Sequence, residues 1–459
     1  MQVRLFLKRF AKAVGWPVLV LLALLAGSIL WTWWEPPIDP ELLAVRQRLI
    51  EESRIANNAY FALVGLTARP GQDPYEVGKA WVKAAEEAYA NKGAPPDWAA
   101  ISDEHFTAID DIKAPCKNPD CLSELRPSLR LLREQLNKHT VLLQRYQHIL
   151  ATYSHYTAPL PLSWSPEWMV GFNARTKTRS LLLGHVIVLW EDGRRKDALN
   201  ELLRDLRFQK LLLEKSVSLI EQMMQVASLR NTYFVGAALL SQDVTVNAHS
   251  AAWQEFTAPL KQVDLAFERT HDGEAMFHHE WLLRTTKEDL PDPELDERDW
   301  TERWLDRAFQ HRILFSPNRT INELWHLHHV RKTAVSGTAK QYVEVNHQQC
   351  VAEIARQFQG WRRLRPINAI GNYLAASGEG DCLHSYALRA YDLQAMSNWL
   401  NAALTYKLGK ARDESCDVST SDPYTERCFQ MNQNGGLVWR PQVPRRDEPS
   451  EFTIVLTAH

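Results

Sequence analysis

The chain has 459 residues, of which 45% are hydrophobic and 24% are charged; this composition is typical of a globular protein and excludes disorder as the default state. Four of its 53 basic residues lie in the first twelve positions, so 49 basic side chains stand against 55 acidic ones in the remainder. This balance argues against nucleic acid as a partner, because binding to nucleic acid needs a basic surface.

Residues 13–34 predict a transmembrane helix. The segment carries no charge, and as a helix it is about 33 Å long, enough to cross the hydrocarbon core of a bilayer. A basic tail, residues 1–12, precedes it, and the positive-inside rule places this tail in the cytoplasm and the rest of the chain outside. Four tryptophans suit the membrane interfaces: Trp16 on the inner side and Trp31, Trp33 and Trp34 on the outer side.

The alternative for this segment is a cleaved signal peptide. Such a peptide has a shorter apolar region that ends in small residues, typically in the pattern Ala-x-Ala. The nearest fit, Leu24-Leu25-Ala26, lacks a small residue at its first position, and apolar residues continue beyond it. The sequence therefore favours an uncleaved anchor over a signal peptide.

The six cysteines predict disulfide bonds and therefore an oxidising compartment. The predicted pairs are Cys116–Cys121, Cys416–Cys428 and Cys350–Cys382. The first two pairs bracket turn-rich loops, and the third follows by elimination from fifteen possible connectivities. A zinc site would need a second closely spaced cysteine unit to match the first, so we expect neither a metal nor another cofactor.

Residues 35–410 predict an exported body that is almost entirely helical. Asp39-Pro40 and Asp73-Pro74 each place a capping carboxylate before a proline at the first helical position. Apolar residues recur at helical spacing over 125–153, which predicts helical structure there. Residues 176–240 predict antiparallel helices joined by an Asp-Gly turn, similar to a tetratricopeptide unit, although no 34-residue period recurs. We therefore expect a mostly α fold with a solenoid-like body of helical hairpins.

Residues 411–459 predict a small β cap that contains one disulfide. Asn434-Gly435 separates two apolar–polar stretches, which is the pattern of a β-hairpin. Residues 451–457 are a third strand candidate. We expect the three short strands to form a small sheet over the helical body.

A group of potentially reactive side chains lies at 271–279. Glu274 and His278 are four residues apart and thus share one helix face, and His279 begins a zinc-protease signature. The position that needs the second histidine of that signature holds Leu283, and the further histidines at 326–329 complete no known motif. The sequence also lacks the phosphate loop, the nucleophile elbow and the calcium loop. The simplest interpretation is that these are ordinary helix residues.

Seven stretches, in this order, resemble an uncharacterised family of bacterial proteins that have one N-terminal membrane helix and a mostly helical exported body. The stretches are residues 57–66, 71–78, 211–229, 267–277, 315–324, 365–375 and 421–431. The resemblance implies a single-pass protein of the Gram-negative inner membrane whose body faces the periplasm, and it supplies no activity. Four polar residues fall in these stretches: Glu274, Asn318, Asn322 and Asn368. They either cap helices and brace loops or line a pocket between helices.

Two functions fit this sequence. The first is a non-enzymatic scaffold or binding protein, because stacked helical hairpins present grooves for peptides or partner helices, such as those of envelope proteins. The alternative is a hydrolase of an envelope polymer, or a metal-dependent enzyme, with Glu274 and either His278 or His279 as acid–base groups or ligands. The lack of a recognised catalytic motif favours the first.

Overall fold

The computed structural model describes most of the chain from residue 35 onward. The described residues are Trp16, Leu19, Val20, Ala23 and Gly27, and then 35–91, 94–103, 116, 118–160, 171–265, 267–288, 316–358, 382–410, 416–443 and 450–456. The predicted transmembrane segment 13–34 lies outside the described residues except at those first five positions, which are exposed, and Trp31, Trp33 and Trp34 are among the positions not described. Within the described part, no helix is long and apolar enough to cross a bilayer.

Helices dominate the described residues, as predicted. The helices are α1 (Pro40–Ser53), α2 (Ala59–Val64), α3 (Pro74–Ala90), α4 (Cys121–Leu125), α5 (Leu129–Lys138), α6 (Thr140–Thr152), α7 (Phe172–Glu191), α8 (Arg195–Glu214), α9 (Leu219–Gln242), α10 (Ser250–Phe256), α11 (Phe267–Glu288), α12 (Pro317–Ala334), α13 (Ala339–Gln341), α14 (His347–Phe358) and α15 (His384–Lys407). A π-helical turn, Tyr342–Asn346, joins α13 to α14, and 3-10 turns lie at Trp98–Ala100, Arg126–Ser128 and Gln262–Leu265.

The chain forms two compact units. Unit 1 consists of Met1–Ala44, His278–Val330 and Val351–Asp381, and unit 2 consists of Val45–Phe277, Arg331–Cys350 and Cys382–His459. The boundaries fall inside α1, α11, α12 and α14, so each of these helices contributes residues to both units.

Capping carboxylates begin α1 and α3, as the sequence predicts. The side chain of Asp39 accepts the N–H of Glu41 at 2.8 Å, and that of Asp73 accepts the N–H of Tyr75 at 2.9 Å. Each bond satisfies a backbone donor that has no partner inside the helix.

Helices α7, α8 and α9 form the centre of unit 2, and successive helices of this set pack on one another. The turn between α7 and α8 passes through Gly193, whose φ of +78° is the left-handed conformation that glycine adopts without strain. Leucines of α8, including Leu199, Leu202 and Leu206, are almost fully buried. The predicted helical hairpins over 176–240 are therefore confirmed.

The helix predicted over 125–153 is confirmed, with an interruption that the pattern does not show. The segment contains a 3-10 turn followed by α5 and α6, and the two helices are separated at His139, whose φ and ψ are −110° and 26°. The hydroxyl of Thr140 donates to the carbonyl oxygens of Leu136 and Asn137, at 3.0 and 2.9 Å. These side-chain hydrogen bonds compete with the regular backbone hydrogen bonds of the helix. Apolar spacing alone does not reveal this competition.

A buried ion pair joins the helices of unit 2. Arg179 on α7 is 3% exposed, and its Nε donates to both carboxylate oxygens of Asp205 on α8 at 3.2 Å. Thr232 on α9 donates to the same carboxylate at 2.7 Å, and Gln209 does so at 3.2 Å while also donating to the hydroxyl of Tyr146 on α6 at 3.0 Å. One network thus connects four helices.

The C-terminal cap contains two antiparallel strands, β1 (Gly436–Trp439) and β2 (Phe452–Val455). The strand predicted before Asn434-Gly435 is not formed by the described residues: that stretch contributes only an isolated bridge between Met431 and Leu437. The side chain of Asn432 accepts the N–H of Gly436 at 2.8 Å and so closes a tight turn that ends strand pairing there.

All six cysteines form disulfides in the predicted pairs. These are Cys116–Cys121, Cys350–Cys382 and Cys416–Cys428, with Cα atoms 5.2, 6.3 and 5.5 Å apart. The cap also bonds to α15, where the indole N–H of Trp399 donates to the carbonyl oxygen of Leu437 at 3.0 Å. The Cys416–Cys428 bond therefore braces the cap internally, and polar contacts such as that of Trp399 hold the cap to α15.

Candidate functional site

Glu274 caps a neighbouring helix in unit 2. Its carboxylate accepts the N–H of Leu219, the first residue of α9, at 2.6 Å. Gly273 permits this approach, because a Cβ at that position would lie 1.7 Å from the carbonyl oxygen of Val217. A negative charge at a helix N-terminus is favourable, so the carboxylate performs the capping role that the sequence allows for it.

Burial perturbs the titration of this part of α11. It raises the pKa of the Glu274 carboxyl to about 7, although the bond from Leu219 and the charge of Arg331 act in the opposite direction. Burial also lowers the pKa of His271 to about 3, and the nearby charges of Arg331 and Lys332 lower it further. The His271 ring is thus neutral at physiological pH. A carboxyl that titrates near pH 7 is suited to general acid–base chemistry.

We expect Glu274→Gln to stabilise unit 2 at alkaline pH. Because the folded pKa of about 7 lies above the ordinary value of 4.5, the stabilisation linked to this carboxyl is complete below pH 4.5 and is lost as the pH rises through 7. Glutamine retains an oxygen for the Leu219 N–H and carries no charge. The free energy of unfolding at pH 8, measured in urea, should rise by about 2 kcal/mol, and the gain should vanish near pH 4.5.

The control is Glu268→Gln on the same helix. Lys332 binds Glu268 at 2.8 Å and lowers its pKa, so this charge favours folding above pH 4.5. Its removal should reduce stability at pH 8 by less than about 1 kcal/mol, because the Glu268 side chain is 74% exposed. A Glu274→Gln variant that is less stable than the wild type at pH 8 would contradict the expected sign.

His278 belongs to unit 1, where it contacts a second histidine. Its Nδ1 lies 3.0 Å from Nε2 of His328 on α12, and one of these nitrogens must be the acceptor. His279 is 4% exposed, and its Nδ1 lies 3.4 Å from the carboxylate of Glu280. Within the described residues, no three histidine, cysteine or acidic side chains are grouped so as to hold a metal ion.

Asn318 and Asn322 clamp the segment that follows the predicted anchor, residues 35–39, onto α12 in unit 1. Four hydrogen bonds form this clamp: Asn318 N to Glu35 Oε1 (2.8 Å), Asn318 Nδ2 to Pro36 O (3.0 Å), Asn322 Nδ2 to Pro37 O (2.9 Å) and Asp39 N to Asn322 Oδ1 (2.9 Å). Both asparagines therefore brace the backbone. Asn368 lies outside the described residues.

A pocket opens in unit 2 between α9, α15 and the C-terminal cap, and we name it the cap pocket. It encloses about 230 Å³. Its lining consists of Met223, Val226, Arg230, Arg389, Asp392, Leu393, Met396, Trp439 and Val443. Six of the nine are apolar, and few charged groups accompany them, which is the composition of sites for small molecules.

The carboxylate in the cap pocket is already bound by the protein. Asp392 is 3% exposed and accepts the hydroxyl of Tyr424 at 3.0 Å and the N–H groups of Gln442 and Val443 at 2.9 and 3.0 Å. Burial raises the pKa of Asp392, while these bonds and the charge of Arg230 lower it. Asp392 therefore fixes the chain after β1 and forms a wall of the pocket.

The chain matches no family model, no curated protein and no solved structure. The resemblance to anchored helical proteins of bacteria accordingly stays a prediction.

The sequence did not single out the residues of the cap pocket, because they come from three distant segments. One signal was present: Arg230 is the only basic residue in α9, and Arg389 and Asp392 are the only charged residues in α15 before its last one, Lys407. A charge in an apolar helix is either paired or functional, since its burial is costly. Pattern alone does not show that these side chains meet the tryptophan of β1.

Proposed function

We propose that this protein is a membrane-anchored binding protein of the bacterial periplasm that holds a small ligand in the cap pocket. The cap pocket is the observation that carries the proposal. Its volume of about 230 Å³ suits a ligand smaller than the drug-sized molecules whose sites enclose roughly 300–1,000 Å³. Its walls come from two long helices and from a cap held by Asp392 and Trp399. Such a pocket is formed before the ligand arrives, which favours binding.

The composition of the cap pocket supports binding over catalysis. No serine, cysteine, histidine, lysine or tyrosine is among its described lining residues. The one carboxylate, Asp392, already accepts three hydrogen bonds from the protein, so it is poorly placed to act as a general base. We therefore propose ligand binding without a cofactor, and not catalysis, as the role of this site.

The proposed location rests on the N-terminal sequence and on the disulfides. The uncharged segment 13–34 follows a basic tail, and disulfides persist in oxidising compartments such as the periplasm. The proposed partners are the inner membrane, through residues 13–34, and envelope proteins, through helical grooves of the body. Nucleic acid is not among them.

A topology experiment tests the location. Alkaline phosphatase fused after His459 should be active in cells, because this enzyme needs the oxidising periplasm for its own disulfides. Alkylation of unreduced protein taken directly from cells should label none of the six cysteines. Six labelled thiols together with an inactive fusion would show that the body is cytoplasmic.

A ligand test addresses the function. Full-length protein purified from membranes should release a small molecule in native mass spectrometry. Met223→Trp should lose this molecule, because Met223 is half-buried and lines the cap pocket, so that an indole there occupies it. Met224→Trp is the matched control, since Met224 is also half-buried but does not line the pocket. Equal retention by both variants, or no bound molecule in the wild type, would remove the proposal.

Hydrolysis of an envelope polymer is a second candidate, and one observation favours it. The pKa of Glu274, raised by burial to about 7, suits a general acid. Purified protein incubated with peptidoglycan should then release soluble fragments, and Glu274→Gln should abolish the release. The bond between Glu274 and the Leu219 N–H favours a structural role, so we expect no release.

A further inference from the structure

A small cavity lies at the N-terminus of α7 in unit 2, and we name it the α7 cavity. It encloses about 10 Å³, enough for a single water-sized atom. Its walls come from α2, from the segment after α6 and from the first turn of α7. The lining residues are Tyr60, Leu63, Val64, Tyr156, Gly171, Phe172 and Arg175. None of them lines the cap pocket, so the two sites are independent.

The first turn of α7 leaves backbone donors open beside this cavity. The N-cap is Gly171, which has no side chain to accept them, and its φ of +76° is left-handed. A Cβ there would lie 3.3 Å from the carbonyl oxygen of Leu63, so α7 begins close to α2. Among the described residues, no acceptor is bonded to the N–H groups of Phe172, Asn173 and Ala174. The positive end of a 20-residue helix therefore lies at the cavity.

Arg175 adds a buried positive charge to the cavity wall. It is 6% exposed, and its guanidinium lies 4.5 Å from the ring centre of Phe172. Within the part of the chain that the structure describes, no oxygen accepts a hydrogen bond from this guanidinium. Burial raises the pKa of Glu221 and the charge of Arg175 lowers it, but the Glu221 oxygens accept from Tyr156 and from the Val217 N–H. Burial of so many donors without an acceptor is costly.

Tyr60 contributes a neutral donor to the same cavity. Its side chain is 5% exposed, and no described residue accepts or donates a hydrogen bond at its hydroxyl. Burial raises the pKa of Tyr60 far above its usual range, and the charge of Glu221 raises it further, so the hydroxyl keeps its proton at neutral pH. The hydroxyl of Tyr156 already donates to Glu221. The polar groups still available in the α7 cavity are thus hydrogen-bond donors.

We propose that the α7 cavity binds a monatomic anion of the size of chloride, held by the guanidinium of Arg175, the hydroxyl of Tyr60 and the N–H groups that begin α7. An anion is favoured at a helix N-terminus and beside a buried arginine. The volume is too small to enclose a phosphate or carboxylate group. A water molecule accepts fewer hydrogen bonds than these donors offer and carries no charge to balance Arg175. The bound ion would link α2 to α7.

The test measures chloride binding to full-length protein in phosphatidylcholine nanodiscs from the width of the chloride NMR line. The wild type should broaden this line saturably. Bromide should displace the bound chloride, whereas gluconate should not, because it is too large for the cavity. Arg175→Met should weaken binding about a hundred-fold, and Tyr60→Phe about ten-fold, because each removes donors to a charged acceptor.

Lys177→Met is the matched control. Lys177 lies on the same helix, two residues beyond Arg175, but does not line the cavity, so this variant loses an equal charge and should bind chloride like the wild type. Tyr60→Phe keeps the aromatic ring, so it remains informative if a circular dichroism melt shows that Arg175→Met does not fold.

Three outcomes would overturn the inference. If the wild type gives no saturable broadening, the cavity holds only water. If Tyr60→Phe binds chloride like the wild type, the ion lies elsewhere. If Lys177→Met weakens binding as much as Arg175→Met, the effect is one of general charge. None of these results bears on the ligand of the cap pocket, because that test depends on Met223.

Discussion

Asp205→Ala should destabilise the protein by about 3–5 kcal/mol, the largest effect that we expect from a single substitution. Arg179 and Asp205 are 3% and 0% exposed, and the substitution leaves the guanidinium in the interior without its carboxylate. The carbonyl oxygen of Ser228, 2.5 Å from Nη2, remains as an acceptor but does not neutralise the charge. The loss is measurable as a shift in the free energy of unfolding in urea.

Two further variants test whether burial of the ion pair causes this loss of stability. Asp197→Ala, in the first turn of the same helix α8, removes a carboxylate that is half-exposed and bound to Arg194 at 2.8 Å, and it should cost less than about 1 kcal/mol. The double variant Arg179→Met with Asp205→Leu should recover most of the stability, because it removes both charges and fills the space with apolar atoms. If Asp205→Ala and Asp197→Ala cost the same, the buried pair contributes no more than a surface one.

Gly273→Ala should destabilise unit 2 by about 3 kcal/mol through overpacking. The added Cβ would lie 1.7 Å from the carbonyl oxygen and 2.6 Å from the carbonyl carbon of Val217, and neither backbone atom can move aside as a side chain does. Helix α11 must therefore move away from the start of α9, which also lengthens the contact between Glu274 and the Leu219 N–H. Urea denaturation measures the loss, and hydrogen exchange at Leu219 reports the weakened cap.

Gly184→Ala on α7 is the control for that prediction. The nearest atom to its added Cβ is the terminal Cδ1 of Leu132, at 2.7 Å, which rotates away at little cost. Alanine is also the better helix former by about 1 kcal/mol, so this variant should be as stable as the wild type or slightly more stable. A similar loss in the two variants would show that the close backbone approach at Gly273 is not the cause.

The helical body and the disulfide pairs were predictable because they depend on local sequence. Apolar spacing and the Asp-Gly turn before α8 are local signals, and the paired cysteines of two of the three bonds are close along the chain. The break at His139 is not visible in the apolar spacing, because the hydroxyl bonding of Thr140 opposes an otherwise regular helical pattern. Local pattern is thus a reliable guide only where no side chain competes for the backbone.

The candidate site was harder to predict from the sequence than the helices and the disulfides. The sequence named Glu274 as a candidate for catalysis or for helix capping, but its partner Leu219 is 55 residues away and meets it only because Gly273 allows two backbones to touch. The cap pocket joins Arg230 on α9 to Trp439 on β1, a meeting of distant segments that depends on packing. Sequence alone can identify such residues as charges within apolar helices. It cannot identify the residues that they contact.

The clamp on residues 35–39 has a mechanical consequence for the proposed anchor. The four hydrogen bonds with Asn318 and Asn322 begin at Glu35, the first position after the uncharged segment, so residues 35–39 are fixed to α12 along their whole length. A force applied to the N-terminus would therefore act on all four hydrogen bonds at once. These bonds would have to break before the force could unwind α1 from its first turn.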